Sequence, residues 1–599
     1  MTMAGPASIA RHKQRSPLLR AVQIGLVFGV IAVYLAIVGL LLMIHGRWII
    51  VDVLSLGHAA LIAIGLGAGN VIARGAMRSV TGQVLSRSLI AGAVAGGLLA
   101  VLVVAMEVLD LRSMFISLPV ALSEMLTFDL DLPLGLVVLV GGGAVLAALG
   151  AVLAHCPPIV KKPLIVGCAA VAFFGVFQEL LQLMMQFNDL IDAVREALYT
   201  WDGLSLQGAV IIFIVASGGS AAWTHYRDRV AAVTAGFSPV QRRQVTAAKI
   251  GLGIVLVLLF PMLAGSYIGQ VMMLVGLYTL MGMGLNLEVG LAGLLDLGFV
   301  AFFAVGAYTT ALLTADSPHA LAAYTSLPSL SYWEAMPVAV LCSIIVGVLF
   351  GIPVLGVRGD YLAVATMGLG EIVRVIVQSD MAAPLLAGAQ GILQIPKPWI
   401  GSYELSDPVA LFYVTLGASA VAAYCAWRLE NSALGRAWMA VRDDEDVAQA
   451  LGINLVKVKL LAYGLGAAFA GLAGSIFATM LTSIYPSSFQ LLISINVLAL
   501  IIVGGMGSLP GVVVGAVALV GLPELLREFG EYRYLFYGAV LIIMMRIKPE
   551  GLWPSATRRR ELRAAAGEPE APEDLEAMQG SGALPASVAS SAAQGPERS

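Results

Sequence analysis

The chain has 599 residues, 59% of them hydrophobic and only 12% charged. A soluble domain carries about twice that charge fraction, so a water-soluble protein is excluded and an integral membrane protein is implied. The formal net charge of −3 leaves orientation open, because that depends on where Lys and Arg fall.

Residues 1–20 place His12, Lys13, Arg15 and Arg20 ahead of an apolar run at 21–44. A signal peptide would have a shorter apolar core and a small-residue cleavage site. A first membrane helix with a cytoplasmic N-terminus is therefore expected. Further runs near 52–73, 87–108, 134–155, 163–187 and 207–223 bring the total to about six crossings of about 20 residues each. The chain then returns to the basic side at 224–249, where Arg227, Arg229, Arg242, Arg243 and Lys249 lie.

The second half has runs near 250–264, 268–287, 292–314, 337–357, 361–378, 409–427, 460–480, 491–505, 510–524 and 534–547. Together the two halves predict an all-α polytopic membrane protein of about 16 membrane segments. The loops at 315–336 and 379–408 hold one basic residue, Lys397, and are placed outside; the turns around Arg358, 428–442 and 457–459 are placed inside. Arg527 and Arg533 fall outside, against that rule. The pair of runs around GGMGSLPG (504–511) reads as re-entrant. The Ala/Glu/Pro/Ser-rich 556–599, which contains Arg558-Arg559-Arg560, reads as a disordered cytoplasmic tail. The resulting division is 1–20, a basic N-terminus; 21–247, a first membrane region; 248–555, a second; and the tail.

LGHAALIAIGL (56–66) aligns with LGFVAFFAVGA (297–307), sharing Leu, Gly, two Ala and Gly. This suggests a divergent internal repeat of the kind from which transporters are often built. Cys156, Cys168, Cys342 and Cys425 are scattered without a CxxC pair and read as small packing residues. The six histidines show no metal-ligand spacing, and His58 reads as a packing residue. No G-x-x-x-x-G-K-[ST] loop is present, so the chain is not expected to hydrolyse ATP.

The most polar internal stretch is 431–459, NSALGRAWMAVRDDEDVAQALGINLVKVK. Arg442-Asp443-Asp444-Glu445-Asp446 cannot sit in lipid, where each charge costs several kcal/mol. Trp438, Val441, Ala448 and Leu451 recur at spacings of three and seven, which predicts a short helix with one apolar side, stopped by Gly452. Such a helix suits a groove on a soluble partner; an ordinary loop is the plainer alternative.

From about 268 to 555 the chain resembles the membrane permease subunit of branched-chain amino acid ABC importers. The strings that carry the resemblance are GLNLEVGLAGLLDLGFVAFFAVGAYTTALL (284–313), VRGDYLAVATMGLGEIVRV (357–375), AQGI (389–392), the 431–474 stretch, VLALIIVGGMGSLPGVVVGA (497–516) and GLPELLREFGEYRYLFYG (521–538). The first half matches only around LSLGHAALIAIG (54–65) and resembles a divergent extra half. The resemblance implies that the stretch near 434–452 is a coupling helix that docks on an ATPase. The family's Glu-Ala-Ala-x-x-x-Gly pattern appears here as Asp446-Val447-Ala448-Gln449-Ala450-Leu451-Gly452. Candidate ATPase-coupling residues are thus Arg442, Glu445, Asp446, Ala448 and Gly452. It also implies partners: two cytoplasmic ABC ATPases, which use the ATP, a second permease subunit and an extracytoplasmic solute-binding protein. No cofactor is expected on this chain and no nucleic acid as partner.

Candidate translocation-path residues are Asn286 and Asp296, which flank the Gly290–Gly293 break, and Glu371 with Arg374, three apart on one helix face. A structural ion pair is the other reading of Glu371 and Arg374. Glu288 reads as a snorkelling interface residue, Asp360 as a helix cap, and Ala467, Gly471 and Gly474 as close-packing positions. The function expected is ATP-driven import of branched-chain amino acids or related small polar solutes. Urea or short-amide import and ion-coupled secondary transport are the alternatives; a membrane enzyme is disfavoured by the lack of a catalytic constellation.

Overall fold

A computed structural model describes residues 17–74, 82–109, 118–185, 189–235, 238–315, 329–357, 359–530 and 532–555. Lys13, Arg15, Arg358 and the 556–599 tail lie outside them. Among the described residues the apolar runs are mostly helical, since lipid offers backbone groups no partner. It divides into two compact units between Leu263 and Ala264, somewhat beyond the expected boundary at 247, because the apolar helix at 244–263 goes with the first unit.

The first unit contains α1 (Pro17–Ile37), α2 (Leu56–Arg74), α3 (Gly82–Val108), α4 (Leu132–His155), α5 (Pro158–Val176) and α6 (Leu206–Ala235). Its core is α3 packed on α4, with α1 against α3 and α2 against α4. The backbones touch at small residues: Gly92 lies against the Gly143 carbonyl and Gly69 against that of Ala147, the close approach by which membrane helices associate without a hydrophobic driving force. Four short strands, β1 (Trp48–Ile50), β2 (Leu54–Ser55), β3 (Tyr199–Thr200) and β4 (Gly203–Leu204), form a sheet in the order β2-β1-β4-β3. β1 runs parallel to β4, with Ile50 opposite Leu204. Beside it His58 packs as expected, stacked on Phe128 with Nε2 3.3 Å from the Met125 carbonyl.

α7 (Pro239–Leu285) runs across the unit boundary and is interrupted at Gly265, whose φ of 85° and ψ of 176° are not helical. The second unit continues with α8 (Val300–Thr314), α9 (Tyr332–Val354), α10 (Asp360–Gln378), α11 (Pro408–Glu430), α12 (Ala433–Asp443), α13 (Glu445–Ala450), α14 (Leu455–Leu481), α15 (Leu491–Gly504), α16 (Leu509–Ala516) and α17 (Tyr532–Ile547). A two-stranded hairpin, β5 (Trp399–Ile400) and β6 (Tyr403–Glu404), lies between α10 and α11. α14 is the axis of this unit: 67% of its apolar stretch is buried, against α8 and α9. Gly474 meets the Phe303 carbonyl, Gly471 meets Ser343 and Gly306, and Ala467 is fully buried, so the small residues pack as expected.

Twelve helices among the described residues are long and apolar enough to cross a membrane. The expected sixteen differ from this for physical reasons. The runs at 250–264 and 268–287 belong to one interrupted helical stretch, Gln244–Leu291. The run at 292–314 is helical only over Val300–Thr314, whose 15 residues span roughly 22 Å of an about 30 Å hydrocarbon layer. The 510–524 run is another shorter apolar helix, Leu509–Leu525, and α17 has only 16 residues. Arg527 and Arg533 both face Glu524, at 3.5 and 3.8 Å, which softens their breach of the charge rule. α10 begins at Asp360 itself, and the cap position falls one residue earlier, on Gly359.

Candidate functional site

The polar stretch folds as two helices set at a sharp corner. Ser432 caps α12, its hydroxyl accepting from the Leu434 and Gly435 amides. Asp444, extended at φ −159°, ends α12 and caps α13 through the Asp446 and Val447 amides, at 2.9 and 3.0 Å. At the far end Gly452 has a φ of 88°. Its amide donates to the Gln449 carbonyl and that of Ile453 to the Ala448 carbonyl, the paired C-terminal closure that favours glycine.

The apolar side of this pair faces inward. Trp438, Val441 and Ala448 are buried, and Trp438 Nε1 donates to the Val458 carbonyl at 2.8 Å. The expectation that Trp438, Val441, Ala448 and Leu451 form one docking stripe is thus corrected. The corner at Asp444 rotates the second helix, and Leu451 ends 76% exposed. What the pair presents outward is Val447 and Leu451, four apart, beside Asp443 and Asp446.

The charge run separates by partner. Glu445 Oε1 meets Lys459 Nζ of α14 at 2.6 Å, with the Lys459 side chain only 5% exposed. Arg442 Nη1 donates to the Gly290 carbonyl at 2.6 Å, and its stem lies over Gly293, where a Cβ would come 2.5 Å from Arg442 Cγ. Of the five coupling candidates, Glu445 and Ala448 engage the second unit itself; Arg442 does so through its guanidinium while its side chain stays 42% exposed, with Nε 3.9 Å from Asp443, and Asp446 and Gly452 stand at the surface.

The helix before this contact is broken. α7 passes into a π-helical turn, Asn286–Leu291, and non-helical backbone follows until α8. Asn286 Oδ1 accepts from the Gly507 amide at 2.8 Å. Asp296 Oδ1 accepts from the Gly298 amide at 2.6 Å, and the Leu297 amide donates to Thr366 Oγ1 of α10. Glu288 is wholly buried, its carboxyl against Gly466 of α14. It does not snorkel, because the π turn swings it into the core. Among the described residues no donor reaches either Glu288 oxygen or Asp296 Oδ2. Asn286 and Asp296 are thus brought to one break. Glu371 and Arg374 instead pair with each other on α10, Arg374 Nε at 2.9 Å from Glu371 Oε1, both partly exposed.

Lys459, Thr366 and Gly507 were not singled out in the sequence as site residues. A lysine at the mouth of an apolar run was the one visible signal, and it was absorbed by the charge rule. No cluster of His, Cys, Asp and Glu among the described residues has the makings of a metal site.

Residues 267–545 match the family model described as "Branched-chain amino acid transport system / permease component". The chain is 37% identical over 340 residues to the high-affinity branched-chain amino acid transport system permease protein LivM of Escherichia coli, covering 53% of this chain and 77% of that one. A probable LivM of Methanocaldococcus jannaschii is 23% identical, over 48% of this chain and 93% of its own length. The autoinducer 2 import system permease protein LsrC of Salmonella paratyphi B is 30% identical over 31% of this chain and 52% of its own. No solved structure matches. The family model lies entirely within the second unit.

Proposed function

Because the chain belongs to the branched-chain amino acid transport system permease family, we propose that it is the membrane subunit of an ATP-driven importer of branched-chain amino acids. In this reading two cytoplasmic ATPases drive it, a second permease subunit completes the pore, and an extracytoplasmic binding protein delivers the cargo across a bacterial inner membrane. The observation that carries the reading is the helix pair α12–α13. It is fastened to the second unit by Trp438, Arg442 and Glu445 yet presents Val447, Leu451 and two acids outward. An exposed apolar pair ringed by acids suits a basic groove on a soluble motor. The chain has no phosphate-binding loop of its own, so both ATP and the force come from partners.

The test is uptake of radiolabelled leucine, isoleucine and valine into vesicles holding the full complex with ATP inside. ATP-dependent uptake that unlabelled valine competes and urea or acetamide does not is expected. Competition by urea alone would move the cargo to short amides. Uptake that persists without the ATPases and follows an ion gradient would overturn the importer reading.

A further inference from the structure

Three chain breaks of the second unit meet at one point: the end of the helix at 286–293, the turn at 504–508 between α15 and α16, and the C-terminal end of α12. At the first of these the Gly290 carbonyl has lost its helical donor. The Leu294 amide, which would return to it in a continuous helix, goes to the Glu288 carbonyl at 2.9 Å, and the Ala292 amide goes to Leu287 at 3.1 Å. An orphan carbonyl at the negative end of a helix attracts a cationic donor, and the Arg442 guanidinium fills that place. Gly507 binds Asn286 from the other side, and a Cβ on Gly290 would press on both Asn286 Oδ1 and the Gly507 amide.

The other fastenings of the helix pair lead elsewhere. Trp438 reaches Val458 and Glu445 reaches Lys459, both in the first turns of α14. Among the hydrogen bonds of the described residues, Arg442 alone ties α12 to the broken helix.

We propose that Arg442 is a positioning residue that latches the helix pair to the 286–293 break, so that displacement of α12 by a motor is handed to the segment carrying Asn286, Glu288 and Asp296. This rests on the reading of α12–α13 as the motor-docking element, and it assigns Arg442 a task inside the membrane subunit and not at the ATPase surface. The side chain is suited to it. Gly293, at φ 73°, has no Cβ, so the arginine stem lies flat on the backbone while the guanidinium holds the carbonyl. A lysine in this place would keep the charge but lose the planar fork.

Two measurements test the latch. In the reconstituted complex, Arg442→Gln is expected to co-purify the ATPases at wild-type ratio and to retain ATP hydrolysis, while uptake falls at least tenfold; Arg442→Lys falls between. Loss of ATPase co-purification with Arg442→Gln would make Arg442 a motor contact, and unchanged uptake would make it ornamental; either overturns the proposal. The second measurement needs neither cargo nor motor. With the native cysteines replaced, spin labels at Asp443 and Met506 in the purified chain report the distance between α12 and the 504–508 turn. A narrow distribution that broadens with Arg442→Gln, and also with Gly293→Ala, is expected. Identical distributions in all three chains would overturn the latch even if amino acid import is confirmed. A narrow distribution lost on mutation would uphold it even if the cargo proves to be something else.

Discussion

Gly452 shows how much one backbone angle decides. The space around it is open, with nothing within 4 Å of where a Cβ would stand, so a substitution meets no wall. The obstacle is its φ of 88°, where a side chain costs on the order of 1–2 kcal/mol. Gly452→Ala is therefore expected to fray α13 and weaken ATPase co-purification nearly as much as Gly452→Arg, while Gly452→Asn, which tolerates left-handed backbone, keeps most of it. If arginine is damaging and alanine is silent, bulk and not conformation governs the site. The pair Glu445–Lys459 behaves differently. Lys459→Met removes the buried cation facing Glu445, whose own side chain is 24% exposed, and losing one partner of such a half-buried pair costs about 1–3 kcal/mol. Thermal unfolding of the detergent-purified chain should show a clear loss for that single change and recovery in Lys459→Met with Glu445→Leu. In the sequence these five ionisable residues read as one solvated block. The structure divides them: Asp444 caps the two residues that follow Glu445 and Glu445 reaches Lys459, whereas the Gly290 carbonyl that Arg442 holds is 152 residues away, and nothing local announces that partner.

Helices were the legible elements, since an apolar run in lipid has few other ways to satisfy its backbone. Their interruptions were less so. The π turn at Asn286–Leu291 and the corner at Asp444 change which residues share a face. For that reason Glu288 was misplaced at an interface, and the buried Trp438, Val441 and Ala448 were put on one docking face with the exposed Leu451. The small residues of α14 were legible, because close helix contact leaves only glycine, alanine and serine as choices. Gly474→Leu is expected to force α8 from α14 and cost about 1–3 kcal/mol by overpacking, with reduced expression and uptake together. Loss of uptake at full stability would mean instead that this seam moves during transport. The two similar strings at 56–66 and 297–307 share one trait in space: Gly65 faces α4 and Gly306 faces α14. They differ in another, since α2 begins at Leu56 whereas α8 begins three residues into its string, at Val300.

At the scale of the whole molecule, the small sheet of the first unit checks the path of the chain. β1 and β4 are hydrogen-bonded neighbours separated in sequence by α2, α3, α4 and α5, so the number of crossings between them is even. Counting crossings from a cytoplasmic N-terminus also puts both loops on the outer side. Cysteines introduced at Ile50 and Leu204, with Cys156, Cys168, Cys342 and Cys425 replaced, are expected to cross-link on mild oxidation, since paired strands hold Cα atoms within disulfide range. Cysteines at Val53 and Trp201, exposed in the turns of the same sheet, should react with an impermeant reagent from outside the cell. Cysteines at Ser8 and Ser590 should stay protected, placing both termini inside. A cross-link that forms only from the cytoplasmic side would invert the topology.

The residues after α17 carry a consequence for the order in which this protein is made. The Leu552 amide donates to the Val503 carbonyl at 2.8 Å and the Trp553 amide to that of Gly504 at 2.9 Å, so the turn that supplies Gly507 to Asn286 is closed from behind by residues 551–554. At about 5–20 residues per second, synthesis leaves that turn without its backing for seconds after α15 and α16 have entered the bilayer. The helices can be inserted one by one as they emerge, but the point where Gly290, Arg442 and Gly507 meet is finished only when the last described stretch has arrived. Newly made chains are thus membrane-embedded before this junction is closed, and the turn that carries Gly507 gains its backing only after Trp553 has been made.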